Sequence, residues 1–252
     1  MEAKLLDASR EGGAAGDGPR FLVVDRERLH RPTRGHPLAH IIRELRTVLG
    51  ELTGALDLSP CSTVVDYGCA DMKYRDLFGD VVYLGADLRG NPDAAIELTP
   101  DGRLPLPDAS ADAMFSCQVL EHVERPDRYL AECARVLRPG GRLLLSTHGI
   151  MALHRDPVDY WRWTADGLQH VVADAGLRIE RFEGIMGLAA TGIQLFQDAT
   201  HQRVPRRLLR TYFWLMQGLV AAFDRQSSAS RAENALVFAL VAVKPDQERS
   251  RR

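Results

Sequence analysis

The chain has 252 residues, 45% hydrophobic and 26% charged, with 32 basic against 34 acidic side chains and a net charge of -2. That size supports one large domain with an appendage and a core that needs neither disulfide nor metal. The balanced charge argues against a dedicated nucleic-acid binder, which depends on a concentrated cationic surface.

Residues Ser9 to Pro19 are small and polar and read as a lead-in; with Phe21 to Val24, a short strand or docking segment, they form residues 1–36, a lead-in and candidate lid. No apolar leader opens the chain and no eighteen apolar residues run together, so a cytoplasmic protein without a membrane span is expected. From Leu38 to Leu52 apolar residues recur at three and four, which predicts an amphipathic helix, either a lid over a pocket or an outer layer on a sheet. Strands are then predicted at Thr63–Asp66, Val81–Gly85, Ala113–Ser116 and Arg142–Ser146. A helix from Pro126 to Leu137 stops at Pro139-Gly140-Gly141. Strands separated by helical segments give a mainly parallel sheet covered on both faces. A second helix starts at the N-cap Thr164 and ends at Gly176, and Leu177–Phe182 reads as a strand. Pro205–Phe223 is a helix apolar on more than one face, within a helical insertion at about 186–232, and reads as buried either against the domain or against a partner subunit in a homodimer. Leu236–Val243 is a terminal strand closing a domain over 37–246, and 247–252 form a polar tail. Cys61, Cys69, Cys117 and Cys133 lack zinc-type spacing and are expected as buried reduced thiols.

Val64-Val65-Asp66-Tyr67-Gly68 is a strand running into a glycine turn, with small Ala70 two residues on. Gly68 lets a ligand approach the backbone. Asp87, 19 residues further at the end of the second strand, can accept both hydroxyl hydrogens of a ribose. The pair indicates an adenosine-containing cofactor. A dinucleotide would want three glycines, whereas Gly68, Ala70 and Lys73 stand at those positions. Asp66 and Asp71 suit a cationic amino-acid group better than a diphosphate. Both features favour S-adenosylmethionine over a nicotinamide.

VVDYGCADMKYRDLF, VYLGADL, LPLPDASADAMFSCQVLEHV and LAECARVLRPGGRLLLSTH, in that order over Ser62 to His148, resemble the class I S-adenosylmethionine-dependent methyltransferases, in particular the small type-11 group. The stretch DPVDYWRWTADGLQHVVADAGLRIERFEG is similar to its continuation in members from glycan and natural-product clusters, antibiotic clusters included. The resemblance implies an α/β, Rossmann-like seven-stranded sheet, mostly parallel with an antiparallel last strand near the edge. It places Asp66 and Gly68 beside the methionine moiety, Asp87 on the ribose, Leu88 against adenine, Asp101 and Gly102 at the adenine border, and Gln118 at the sulfonium end. Ala70 stands where the family's second glycine is usual. His122, in the family's Glu-His pair, lines the pocket or tethers loops, and Tyr74 faces the cofactor carboxylate or a polar substrate.

Methyl transfer is an in-line displacement in which an alcohol or phenol profits from a base and an amine needs only neutrality. The segment from His148 to Trp163 supplies the candidates. His148, at a strand end, and His154, oriented by Asp156, are the candidate bases. Tyr160, Trp161 and Trp163 either wall a ring-bearing acceptor or anchor the loop. The carboxylate set that would chelate magnesium is not evident, and no metal site is assigned. The expected activity is methylation of a small molecule, at oxygen, in natural-product or glycan biosynthesis, with S-adenosyl-L-homocysteine as coproduct. The alternatives are N-methylation of a small amine or amino sugar, and a non-catalytic cofactor-binding scaffold.

Overall fold

The computed structural model describes residues 32–155, 158–225 and 228–246. Ser9–Pro19, Phe21–Val24, Asp156 and the polar tail lie outside the described residues. The apolar runs pair into one seven-stranded sheet: β1 (Thr63–Tyr67), β2 (Val82–Asp87), β3 (Ile96–Glu97), β4 (Ala111–Cys117), β5 (Leu137–His148), β6 (Arg178–Gly187) and β7 (Ala235–Val243), in the order β3-β2-β1-β4-β5-β7-β6. The first five strands run parallel, and β7 is antiparallel to both neighbours, β5 and β6. All nine residues of β7 are buried, as an interior strand covered on both faces requires. The edge strand β6 instead carries Arg178, Glu180, Arg181 and Glu183, charges that discourage pairing with another chain.

Alternation along the strands divides the core in two. Leu143 and Leu145 face one cluster and Leu144 the other, while Phe238 and Val237 part in the same way. Helices α1 (Ala39–Thr53), α2 (Pro126–Val136) and α3 (Ala165–Asp174) follow the sequence reading closely. Thr164 caps α3 through its hydroxyl, which accepts from the Gly167 amide at 3.1 Å. Between β1 and β2, by contrast, there is a single 3-10 turn (Arg75–Phe78) and no α-helix. The cover on that face comes from before β1: Ile41, Leu45, Leu49 and Leu52 of α1 pack with Val64, Phe115 and Leu144. Between β6 and β7 lie α4 (Leu188–Thr200), α5 (Leu209–Phe223) and α6 (Ser228–Glu233). The helix expected from Pro205 therefore starts later, after a 3-10 turn at Arg206–Leu208.

Helix α1 has no side-chain N-cap, and glutamines of α4 and α5 satisfy its entry instead. The Pro37 carbonyl accepts from the side-chain amides of Gln194, Gln197 and Gln217 at 3.2, 2.8 and 2.8 Å, and the His40 amide donates to Gln217 Oε1 at 2.8 Å. The cysteines are free thiols; Cys69 and Cys133 are buried and Cys117 partly so, but Cys61 is exposed, contrary to expectation, because it lies in the polar turn before β1.

Candidate active site

From β1 the sheet grows through β2 to one side and β4 to the other, so a crevice opens where the carboxyl ends of β1 and β4 part. Gly68 forms its floor with φ +85°, and a Cβ there would lie 2.6 Å from the Val119 side chain. Only glycine fits this turn. Ala70 is also left-handed, at φ +47°, a conformation that strains a residue with a side chain. Its amide donates to Asp87 Oδ2 at 2.8 Å, which ties the first loop to the second. Asn91 strengthens the tie, its Nδ2 donating to Asp87 Oδ2 and to the Ala70 carbonyl, both at 2.8 Å. The Leu88 amide donates to Asp87 Oδ1 at 2.7 Å. Across the crevice Gln118 leaves β4 at φ +58° and donates to Ser146 Oγ at 3.1 Å. Strain of this kind persists where surrounding structure over-determines it, often at functional sites.

Two cavities meet at this floor. The larger, about 910 Å³, is bordered by Asp87, Leu88, Asp101, Gly102 and Tyr160. The smaller, about 190 Å³, is bordered by Asp66, Tyr74, Met151, His148 and His154, and α1 closes it with Leu38, Ile41, Ile42 and Leu45. Gly68, Ala70, Gln118 and His122 border both. All ten residues singled out for the cofactor thus fall along one continuous crevice.

Burial governs the charges of the smaller cavity. It pushes the Asp66 carboxyl up to about 7 despite a hydrogen bond from the Tyr83 hydroxyl at 2.6 Å, and nearby Asp87 and Asp71 add to the rise. His122, His148 and His154 form a triangle with ring centroids 5.7–6.3 Å apart. Burial pushes His148 down to about 3, assisted by Arg162 and the two other imidazoles, so His148 is neutral. Its Nε2 lies 3.2 Å from Oε1 of fully buried Glu121, whose Oε2 accepts from the Thr147 hydroxyl at 2.8 Å. Burial raises the Glu121 carboxyl to about 7. His148 Nδ1 is buried without a hydrogen-bond partner in the protein. Asn91 was not assigned a role from sequence, and Glu121 was singled out only with His122, as the Glu-His pair that lines the pocket or tethers loops.

In the loop after β5, Asp159 accepts from the His154 amide at 2.6 Å and pairs with Arg162. Arg162 in turn donates to the Met151 and Ala152 carbonyls at 2.9 and 2.7 Å, fastening the loop across itself. Trp161 and Trp163 border neither cavity. Trp163 packs against the core beside α3, stacked with Trp161 at 5.7 Å, and Trp161 Nε1 donates to the Val123 carbonyl at 2.7 Å. Trp163 anchors the loop by packing against the core, while Trp161, itself exposed, is held by its hydrogen bond and the stacked ring. Of the three aromatics only Tyr160 reaches a cavity, the larger one.

The crevice fits an adenosyl cofactor on its own residues: a glycine floor that a Cβ would fill, a buried carboxylate at the second strand, and a second buried carboxyl 21 residues earlier at Asp66. Residues 86–145 match a family described as a methyltransferase domain. The malonyl-[acyl-carrier protein] O-methyltransferase of Methylococcus capsulatus is 48% identical over 133 residues, covering 53% of this chain and 46% of that protein. The "Probable S-adenosylmethionine-dependent methyltransferase" of Mycolicibacterium smegmatis is 38% identical over 95 residues, covering 33% and 37%. The chain therefore spans less than half the length of these curated relatives. Among solved structures, phosphoethanolamine N-methyltransferase 2 of Haemonchus contortus shares the fold at TM-score 0.54 and 15% identity, over 89% of this chain and 61% of that one. The fold is that of the class I S-adenosylmethionine-dependent methyltransferases, and residues 86–145 are similar to their methyltransferase domain.

Proposed function

We propose that this protein transfers a methyl group from S-adenosylmethionine to the oxygen of a small-molecule acceptor, with His148 as the base. The observation that carries this reading is a neutral imidazole bordering the smaller cavity, its Nε2 beside a buried carboxyl and its Nδ1 left without a partner. When bound, the cofactor supplies a methyl group activated by a sulfonium. Asp87 holds the ribose through one hydroxyl and not both: a carboxylate offers about four lone-pair sites, and three are used by Leu88, Ala70 and Asn91. Leu88, Asp101 and Gly102 border adenine; Gly68, Ala70, Gln118 and His122 line the passage to the smaller cavity, where Asp66 and Tyr74 meet the amino-acid end. As the base takes the acceptor proton, Glu121, whose Oε1 lies 3.2 Å from His148 Nε2, would stabilise the imidazolium that results when it is ionised. His154 orients the acceptor from the facing side.

The O-methyltransferase name of the Methylococcus relative supports oxygen as the acceptor atom. Natural products and glycans are the acceptor classes proposed. The test is His148→Ala, assayed for cofactor affinity by calorimetry and for product by mass spectrometry across alcohols, phenols, carboxylates and amines. The expected outcome is a turnover loss of about 10²–10⁴-fold with unchanged cofactor affinity. Undiminished turnover on an oxygen acceptor would remove the base. Transfer confined to amines would establish the N-methyl alternative, and binding without transfer would leave a scaffold.

A further inference from the structure

The pair of helices α4 and α5 has its polarity inverted. Gln194, Gln197 and Gln217 are buried, and the Gln217 amide donates to the Gln194 and Gln197 side-chain carbonyls at 2.9 Å each. Meanwhile Leu188, Phe196, Trp214, Leu215, Leu219 and Phe223 are 48–60% exposed. On α5 Leu215, Leu219 and Phe223 recur at four with Trp214 beside them, and on α4 Leu188 and Phe196 lie two such steps apart, so each helix presents one apolar stripe outward. The contacts 194–217 and 200–212 show that the two helices run antiparallel. A helix in water places its stripe inward, and an outward stripe of this extent marks an interface.

The connection between the helices adds the second observation. Arg203, Arg206, Arg207 and Arg210 are all exposed there, beside exposed Leu208. Asp198 is the sole carboxylate between Leu188 and Phe223, and it already accepts from Gln194 at 2.9 Å. A cationic end on an apolar, Trp-bearing face is the composition of an element that lies in a membrane interface. A second copy of the same face would bring no carboxylate to these arginines, whereas an anionic lipid surface brings many. Among the described residues no helix is long and apolar enough to cross a membrane, so the contact is peripheral.

We infer that the α4–α5 hairpin docks on an anionic lipid surface. Its buried glutamines hold Pro37, one residue before Leu38, which borders the smaller cavity. Docking there sets the acceptor end of the crevice near the bilayer, which makes an amphiphile the acceptor class; that consequence rests on the methyl-transfer reading above, whereas the docking does not.

The experiment mixes the full chain, without cofactor or acceptor, with phosphatidylcholine vesicles containing phosphatidylglycerol, and in parallel with pure phosphatidylcholine vesicles, followed by sedimentation. Binding is expected to the anionic vesicles and to weaken with salt. Arg203→Gln and Arg207→Gln should each lower the partition about fivefold, the effect of about 1 kcal/mol per charge near the surface. Trp214→Glu with Leu219→Glu should abolish it, and S-adenosylmethionine affinity should remain in every variant as the check on folding. The arginine variants, on an exposed turn, keep the test decisive should the helix variant misfold. Absent or equal uptake by both vesicles would overturn the inference. So would a dimer in light scattering that Trp214→Glu dissociates in a chain that ignores vesicles, an outcome assigning the face to a second copy.

Discussion

Asp87 shows how one side chain serves structure and ligand together. It borders the larger cavity while bonding Ala70, Leu88 and Asn91. Asp87→Ala removes a ribose acceptor and the tie between two loops, so S-adenosylmethionine affinity should fall more than about tenfold, or about 1.4 kcal/mol. Calorimetric titration with unchanged affinity would take Asp87 out of the cofactor site. Ala70 makes the opposite case. Its left-handed backbone costs roughly 1–2 kcal/mol for a residue with a Cβ. Ala70→Gly should therefore raise stability by up to about 1 kcal/mol, read as a higher urea midpoint at constant slope. A lowered midpoint would mean that the methyl packs more than the turn strains.

At the scale of elements, α1 closes the smaller cavity and is held by a glutamine network rather than by a cap of its own. Gln217→Leu would strip donors and an acceptor from Pro37, His40, Gln194 and Gln197 at once. Leaving buried polar groups unpaired costs about 1–3 kcal/mol. The expected result is a loss of that order in chemical denaturation, with faster hydrogen exchange confined to the first turn of α1. Uniformly faster exchange over the whole domain would show that the network supports the core and not the helix entry. The loop after β5 follows the same logic: Arg162 and Asp159 hold it from within, and Trp163 pins it to the core.

Across the whole molecule, the buried carboxyls couple folding to pH. The folded Glu121 carboxyl is raised to about 7, above its unfolded value, so its contribution is fully present below pH ~4.5 and is lost as pH rises through 7. Asp66 acts in the same sense. His148, lowered to about 3, acts oppositely, its contribution being present above pH ~6.5 and lost as pH falls toward 3. Glutamine at position 121 does not titrate. The melting temperature of Glu121→Gln minus that of the parent should therefore increase from pH 5 to pH 8. A difference that stays flat would mean that Glu121 titrates alike in folded and unfolded chains.

Much of the fold was legible because its signals are local. The alternation from Thr63 to Ser146, the Thr164 cap and the Pro139-Gly140-Gly141 stop depend on a residue and its near neighbours. Gly68 and Asp87 were legible for the same reason, since each sits at the end of an apolar run that had to be a strand. Asn91, a polar residue in a turn, gave no hint that it would reach back to Ala70, and the Glu121-His122 pair gave no hint that Glu121 would lie against His148.

The strands and the turns that end them follow from hydrophobic period and punctuation that the chain carries in itself, and the kind of sheet they build is what the family resemblance implies. Which imidazole stands beside a carboxyl, which aromatic rings turn to the core, and why glutamines lie inside α4 and α5 while leucines lie outside were decided by contacts between residues distant in sequence, such as Glu121 with His148 and Pro37 with Gln217. Burial and hydrogen-bond geometry act through space, and only the packed chain brings such partners together.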